Sequence, residues 1–320
     1  MARASLIAVT LAVLIASAGN GADDPPSGAE WLASFRKSRE ALEWSDTAVR
    51  HDWRLQERPR DGRCRILDPG DAVVREGVAA ECRSAFAALE ASGTVPAVQG
   101  PVVILLHGLG EGRASMRPIA EHLRKTLDAT VLLFGYASTA ADLEAHGRAL
   151  GEVVASLPPE APVSFVGHSL GNLVVRRWMA LAGRDDLARV TRMVMLGPPN
   201  QGSALARRIG TVVLLAALSE GAARDLVVKW PQVEPQLAVP PCEFGIVAGG
   251  RGDGLGFSPM LAGDDDAIVR VEETRLAGAE DFLLVPVNHA AMLDDRRVKR
   301  ATESFLRCGR FAPAESEAAR

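Results

Sequence analysis

Val163-Ser164-Phe165-Val166-Gly167-His168-Ser169-Leu170-Gly171-Asn172 is the stretch on which the fold turns. It opens on a short apolar run of the kind found in strands buried on both faces, and residues 170–183 behind it have a helical pattern. Between the two lies Gly-x-Ser-x-Gly. A serine on so tight a strand-to-helix turn projects its hydroxyl above the sheet, where a nucleophile has to stand. Gly167 and Gly171 remove side chains that would collide with neighbouring backbone. The helix that follows aims its free N–H groups at negative charge developing near the serine. Alone the pattern is weak; with a strand before it and a helix after it, it is specific.

Working outward, further short apolar runs bounded by Gly or Pro occur at Val102–Leu106, Thr130–Phe134, Arg192–Leu196, Phe244–Ala248 and Phe282–Val287. Helical stretches at 115–127 and 139–156 lie between several of them. Buried strands alternating with helices predict βαβ units, hence an α/β domain with a mainly parallel central sheet flanked by helices, over residues 100–310. Residues 201–240 break the alternation, and the apolar stretch Ile209–Leu218 within them reads either as a lid inserted over the site or as an ordinary core helix. No repeat of solenoid or propeller length is present. Before the domain, residues 30–50 have helix-friendly composition, 52–69 read as a hairpin turning at Pro59–Gly62, and Asp71–Ala91 is Ala-rich and helical in pattern. Residues 19–99 are therefore expected to form a leader and an N-terminal extension of hairpin plus helices, and residues 311–320 a flexible tail.

The first eighteen residues, MARASLIAVTLAVLIASA, have a basic residue, a short apolar core and a small-residue Ala16-Ser17-Ala18 end. That is the layout of a secretory signal peptide, and the apolar core falls short of the roughly 20 residues needed to span a bilayer. Export to a periplasmic or extracellular location is expected. Four cysteines, Cys64, Cys82, Cys242 and Cys308, permit two disulfides there in three possible pairings, where Cys64–Cys82 would close a local loop and Cys242–Cys308 would tie two later elements, or else remain buried thiols. Their spacing matches no zinc site, so no metal is expected. Over the 320 residues the formal charge is −4 and aromatic residues make up 5%. Neither a basic field nor a stacking platform exists, which argues against a nucleic-acid partner.

The chemistry needs a base, an acid and an oxyanion hole. Val102–Gly110, VVILLHGLG, runs a strand into His107-Gly108 and brings the Leu109 N–H towards the serine. With the Leu170 N–H after the nucleophile, it supplies the two donors that acyl transfer requires. Of six histidines, at 51, 107, 122, 146, 168 and 289, only His289 follows the nucleophile, on the loop leaving the last apolar strand. It is the expected base for Ser169. His107 reads as support for its loop, and His168 as pointing away from the serine. The acid should lie between Ser169 and His289, where Asp264, Asp265 and Asp266 stand in a row. Spacing alone leaves those three open, with a backbone-assisted Ca²⁺ contact and Asp253 as weaker readings.

Ser169 in GHSLG, HGLG at 107–110, the acidic turn at 264–266 and His289 together resemble the α/β-hydrolase fold, in its bacterial lipase/esterase branch. The resemblance covers about residues 100–310. It implies a Ser169–His289–Asp266 triad, because Asp266-Ala267-Ile268-Val269 is similar to the Asp-Gly-x-Val context of the acid in such lipases, with Ala267 in place of Gly. Gly197-Pro198-Pro199-Asn200-Gln201-Gly202-Ser203 resembles their Pro-x-x-Gly-Ser segment, whereas Asn172 stands where many carry a second Gly. The activity so implied is hydrolysis of a small-molecule or lipid ester through an acyl-enzyme, without cofactor, with transient contact at a lipid interface where the substrate is a lipid. An acyltransferase, an amidase and a non-catalytic hydrolase-like binding protein remain as alternatives.

Overall fold

The computed structural model describes residues 43–205, 222, 225 and 230–312. The expected signal peptide at residues 1–18, residues 19–42, the Ile209–Leu218 stretch of the expected lid or core helix and residues 313–320 lie outside them. Among the described residues ten strands and five main helices run in the order β1 (Ser45–Arg50), β2 (Trp53–Glu57), β3 (Arg63–Leu67), β4 (Val73–Val78), α1 (Ala79–Ala91), β5 (Val102–Leu106), α2 (Arg117–Thr126), β6 (Thr130–Phe134), α3 (Leu143–Ala155), β7 (Val163–His168), α4 (Leu170–Leu181), β8 (Val190–Leu196), β9 (Glu243–Gly250), β10 (Asp281–Pro286) and α5 (Arg296–Cys308).

Strands β5 to β10 form one parallel sheet in the order β10-β9-β8-β7-β5-β6. All six apolar runs are strands of it. Their continuous apolarity follows from burial on both sides: Val102, Ile104 and Leu106 face one core with α3 and α4, while Val103 and Leu105 face a second. That second core holds Ile119, Ala120 and Leu123 of α2 and Val298, Ala301 and Phe305 of α5. Helix α5 has an Asp295 N-cap, whose side chain accepts the Arg297 and Val298 N–H groups, and it stops at Gly309 with φ 72°. Phe311 is buried against Phe305, with ring centroids 5.0 Å apart, so the packed chain reaches one residue into the expected tail.

Strand order reverses between β5 and β7, since β6 lies on one side of β5 and β7 to β10 on the other. In open parallel sheets such a switch point leaves a crevice at the carboxyl ends of the strands. Leu106 is paired with Gly167, so the chain leaves the sheet side by side at the ends of β5 and β7, at His107 and Ser169.

The extension differs from the reading of hairpin plus helices. The β2–β3 hairpin is present, but Ser45–Arg50 is a strand paired antiparallel with β2, and Val73–Val78 is a strand on the far side of β3. A four-stranded antiparallel sheet results, and only Ala79–Ala91 of the expected 71–91 helix is helical. The pairing decides against local composition: Ala48 and Val49 of β1 are buried, and the valines of β4 favour a pleated backbone. A buried ion pair ties this sheet to the domain. Arg54 Nη1 donates to Asp46 Oδ2 and to the Leu133 carbonyl, both at 2.6 Å, and Asp46 Oδ2 accepts the Gly135 N–H at 2.6 Å.

All four cysteines are thiols in the structure. Cys64 and Cys82 share one small core, where Cys82 Sγ donates to the Cys64 carbonyl at 3.2 Å. Cys242 packs on the α3–α4 side of the sheet, whereas Cys308 ends α5 on the other side with its Sγ bonded to the Ser304 carbonyl. The structure therefore does not bring Cys242 and Cys308 together.

Candidate active site

Ser169 links β7 to α4 with φ 51° and ψ −119°, a conformation that L-residues other than Gly rarely adopt and that costs about 1–3 kcal/mol. The surroundings over-determine it. The Ser169 N–H donates to the Leu196 carbonyl at 2.9 Å. A Cβ on Gly167 would lie 2.4 Å from Asn172 Oδ1, and one on Gly171 would lie 2.6 Å from the Leu106 carbonyl oxygen. Both glycines are therefore required by contact. Asn172, the departure from the usual glycine, has a use here: its Nδ2 donates to the carbonyls of Ser169 at 3.1 Å and Leu196 at 3.3 Å.

Asp266 and His289 meet at the ends of β9 and β10. His289 Nδ1 donates to Asp266 Oδ2 at 2.6 Å, and the His289 N–H donates to the Asp266 carbonyl at 2.8 Å. Asp266 Oδ1 accepts the N–H groups of Ile268 at 3.0 Å and Val269 at 2.7 Å, which fixes the carboxylate fully out of solvent. Burial pushes the His289 pKa down, but the adjacent Asp266 charge, its hydrogen bond and the more distant Glu111 charge outweigh burial and raise it above the ordinary 6.5. Two glycines make room for the pair. A Cβ on Gly197, at the end of β8, would sit 3.1 Å from the His289 ring, and one on Gly249 would sit 2.8 Å from Asp266 Cβ. Gly197 follows Leu196, whose carbonyl holds the Ser169 N–H, so the end of β8 touches both the serine and the histidine ring.

The other two aspartates of the acidic turn shape its backbone. Asp264 accepts the Arg251 and Gly252 N–H groups at 2.7 and 2.8 Å. Asp265 accepts those of Ser258 and Ala267 at 2.9 and 2.7 Å, and burial raises its pKa. Asp253 caps its own turn through the Leu255 and Gly256 N–H groups. Ala267 has φ 84°, which is why glycine suits that position in the Asp-Gly-x-Val pattern.

The loop after β5 abuts the serine: a Cβ on Gly108 would lie 3.2 Å from Ser169 Cβ. The N–H groups of Gly108, Gly110 and Glu111 are held by Glu111 Oε2, Ser138 Oγ and the Gly108 carbonyl. Among the described residues, the Leu109 N–H is the one of these four without an acceptor. His107 is structural, as its place in the sequence indicates. Its ring stacks on Tyr136 at 4.2 Å, bonds the Gly108 carbonyl, and has its pKa lowered to about 4 by burial. His122 pairs with Glu303, His51 contacts the Ala97 carbonyl, and His146 is buried with its pKa lowered to about 4, chiefly by that burial. No group of three or more His, Cys, Asp or Glu side chains suited to a metal ion occurs among the described residues, and none of their helices is long and apolar enough to cross a membrane.

Sequence reasoning missed Gly197, Gly249 and the contacts of Glu111 and His168. The first two carried a faint signal, a glycine closing an apolar strand.

With the elbow at the switch point and an acid–histidine pair at the ends of β9 and β10, the chain has the α/β-hydrolase fold. The family described as "Putative serine esterase (DUF676)" matches residues 99–196, which include the strand-5 loop and the elbow. Among solved structures, Bacillus licheniformis lipase BlEst2 in its mature form is similar with a TM-score of 0.53 at 16% identity, over 68% of this chain and 96% of that one. Its propeptide form is similar with a TM-score of 0.54 at 18% identity, over 70% of this chain and 54% of that one. At such identity the likeness is one of fold. No curated protein matches the chain.

Proposed function

We propose that this chain is an exported carboxylic-ester hydrolase working through Ser169, His289 and Asp266. The single observation that carries the reading is the buried Asp266–His289 hydrogen bond of 2.6 Å at the strand ends next to a serine held at φ 51°. In the first step Ser169 Oγ attacks the ester carbonyl carbon while His289 Nε2 takes its proton. Asp266, hydrogen-bonded at Nδ1, keeps Nε2 free to accept and then stabilises the imidazolium. The carbonyl oxygen becomes an oxyanion between the N–H groups of Leu109 and Leu170, each such donor typically contributing about 10²–10³ in kcat. His289 returns the proton to the leaving alcohol. Water then attacks the acyl-enzyme by the same route in reverse.

Residues 1–18 support export by their signal-peptide layout. An uncharged ester suits a site whose carboxylates Asp266 and Glu111 are already engaged by hydrogen bonds. Turnover of p-nitrophenyl esters of increasing chain length, by the wild type and by Ser169→Ala, tests the reading. Activity lost in the variant supports it, and equal turnover by both overturns it. A long-chain optimum stimulated by detergent micelles would make the substrate a lipid.

A further inference from the structure

The residue before the nucleophile is a fully buried histidine that the reaction above does not use. Both nitrogens of the His168 ring face acceptors. Nδ1 lies 3.3 Å from Glu111 Oε2, and Nε2 lies 3.2 Å from the His289 carbonyl oxygen. A carbonyl can only accept, so Nε2 bears a proton. A carboxylate can only accept too, so Nδ1 pairs with Glu111 when it also bears one. Two acceptors facing one ring are both served only when the ring carries both protons. Glu111 fits the other half: burial would raise its pKa, yet the His168 charge and the hydrogen bonds from His168, the Gly108 N–H and Ser115 Oγ hold it well below the usual carboxylate range.

Glu111 Oε2 collects three donors from three places. These are the Gly108 N–H at 3.0 Å, Ser115 Oγ at 2.8 Å and His168 Nδ1. Binding the Gly108 N–H fixes the His107–Gly108 peptide, one link before the peptide whose Leu109 N–H is left over to meet an oxyanion. Across His168, the same carboxylate is connected to the backbone of His289, and the His168 and His289 rings stand 4.7 Å apart.

Resting on the serine-hydrolase reading, we infer that Glu111 and His168 are positioning residues: an ion pair that clamps the oxyanion loop after β5 to the loop bearing the catalytic histidine. Donor and base are thereby held in register without either residue touching substrate. Oxyanion donors act only when preorganised, so loosening the clamp should lower kcat while leaving KM nearly alone.

Three measurements on the full chain test this. In ¹⁵N-histidine NMR of the wild type near neutral pH, His168 should show two protonated ring nitrogens; a single neutral tautomer overturns the ion pair whatever the activity proves to be. Glu111→Ala should reduce kcat for p-nitrophenyl butyrate at least about tenfold, a fraction of the loss of one whole donor, with KM within about threefold. Unchanged kcat in a folded variant overturns the clamp. Should Glu111→Ala fail to fold, Glu111→Gln keeps the volume and one acceptor oxygen, and His168 should then lose its second ring proton and kcat should still fall. Fluorophosphonate labelling of the wild type runs alongside. A wild type that does not label refutes the hydrolase reading, whereas a wild type and a Glu111→Ala variant that label at equal rates refute the clamp alone.

Discussion

Replacing Asp266 by Asn exchanges one oxygen for an NH₂ group at a position where every acceptor is in use. Oδ1 receives two backbone N–H groups, from Ile268 at 3.0 Å and Val269 at 2.7 Å, and Oδ2 receives His289 Nδ1–H at 2.6 Å. An asparagine has one oxygen to serve both sides. If that oxygen stays on the backbone, the NH₂ faces Nδ1, which must then accept, and the ring proton moves to Nε2, the nitrogen that has to take the serine proton. If the amide flips, two buried N–H groups lose their acceptor at about 1–3 kcal/mol each. The wrong tautomer is therefore favoured by about 2–6 kcal/mol, leaving roughly one molecule in 30 to one in 10⁴ with a usable base. Lost stabilisation of the imidazolium adds to this, so kcat should fall by about 10³ or more. Asp264→Asn gives up one of two turn-capping bonds, remote from His289, and its kcat should stay within about threefold with a stability loss of about 1–3 kcal/mol. The assay is p-nitrophenyl butyrate turnover at saturation, with thermal unfolding by circular dichroism beside it. Asp266→Asn retaining more than a tenth of wild-type kcat, or Asp264→Asn losing more activity than Asp266→Asn, refutes the reasoning.

Other consequences can be measured with the same preparations. His289 must be neutral to act as a base, so kcat/KM should rise with pH through a midpoint above the ordinary 6.5. Its raised pKa also means that the stability gained from its protonated form is complete below 6.5 and is lost as pH climbs through the folded value, the opposite direction to activity. A midpoint below 6.5 contradicts the pairing with Asp266. Arg54→Ala strands Asp46 in the interior and should cost about 3–5 kcal/mol by denaturant unfolding; a loss under 1 kcal/mol denies that the pair ties the extension to the sheet. Burial pushes the Cys64 and Cys242 thiols up to about 12, so native alkylation near pH 8 should modify exposed Cys308 and spare both. Rapid labelling of Cys64 in the folded protein would show its core to be open.

How far the sequence could be read follows from where the physics is local. Strands β5 to β10 announce themselves because both faces are buried, which leaves runs such as Val102–Leu106 wholly apolar. Ser169 and His289 stand out as candidates for the same reason, each standing where such a run ends. Asp266 needed the resemblance, since three aspartates in a row look alike in sequence and only their partners separate them, backbone N–H groups for Asp264 and Asp265 and His289 besides for Asp266. Strands β1 and β4 were illegible because Ser45–Arg50 and Val73–Val78 are short, mixed in polarity and defined by partners elsewhere in the chain. The buried Arg54–Asp46 pair runs against the habit of reading charge as surface. Nothing in HGLGEG singles out Glu111; its link to the histidine before the nucleophile, 57 residues away, exists only in three dimensions.

The most direct measurement is intact-mass analysis of the folded protein after exposure to a fluorophosphonate, followed by peptide mapping. One adduct per chain, located on Ser169, absent from Ser169→Ala and greatly slowed in His289→Ala, is the expected result. A folded chain that takes no adduct, or takes it on another residue, contradicts the assignment of Ser169 as the nucleophile.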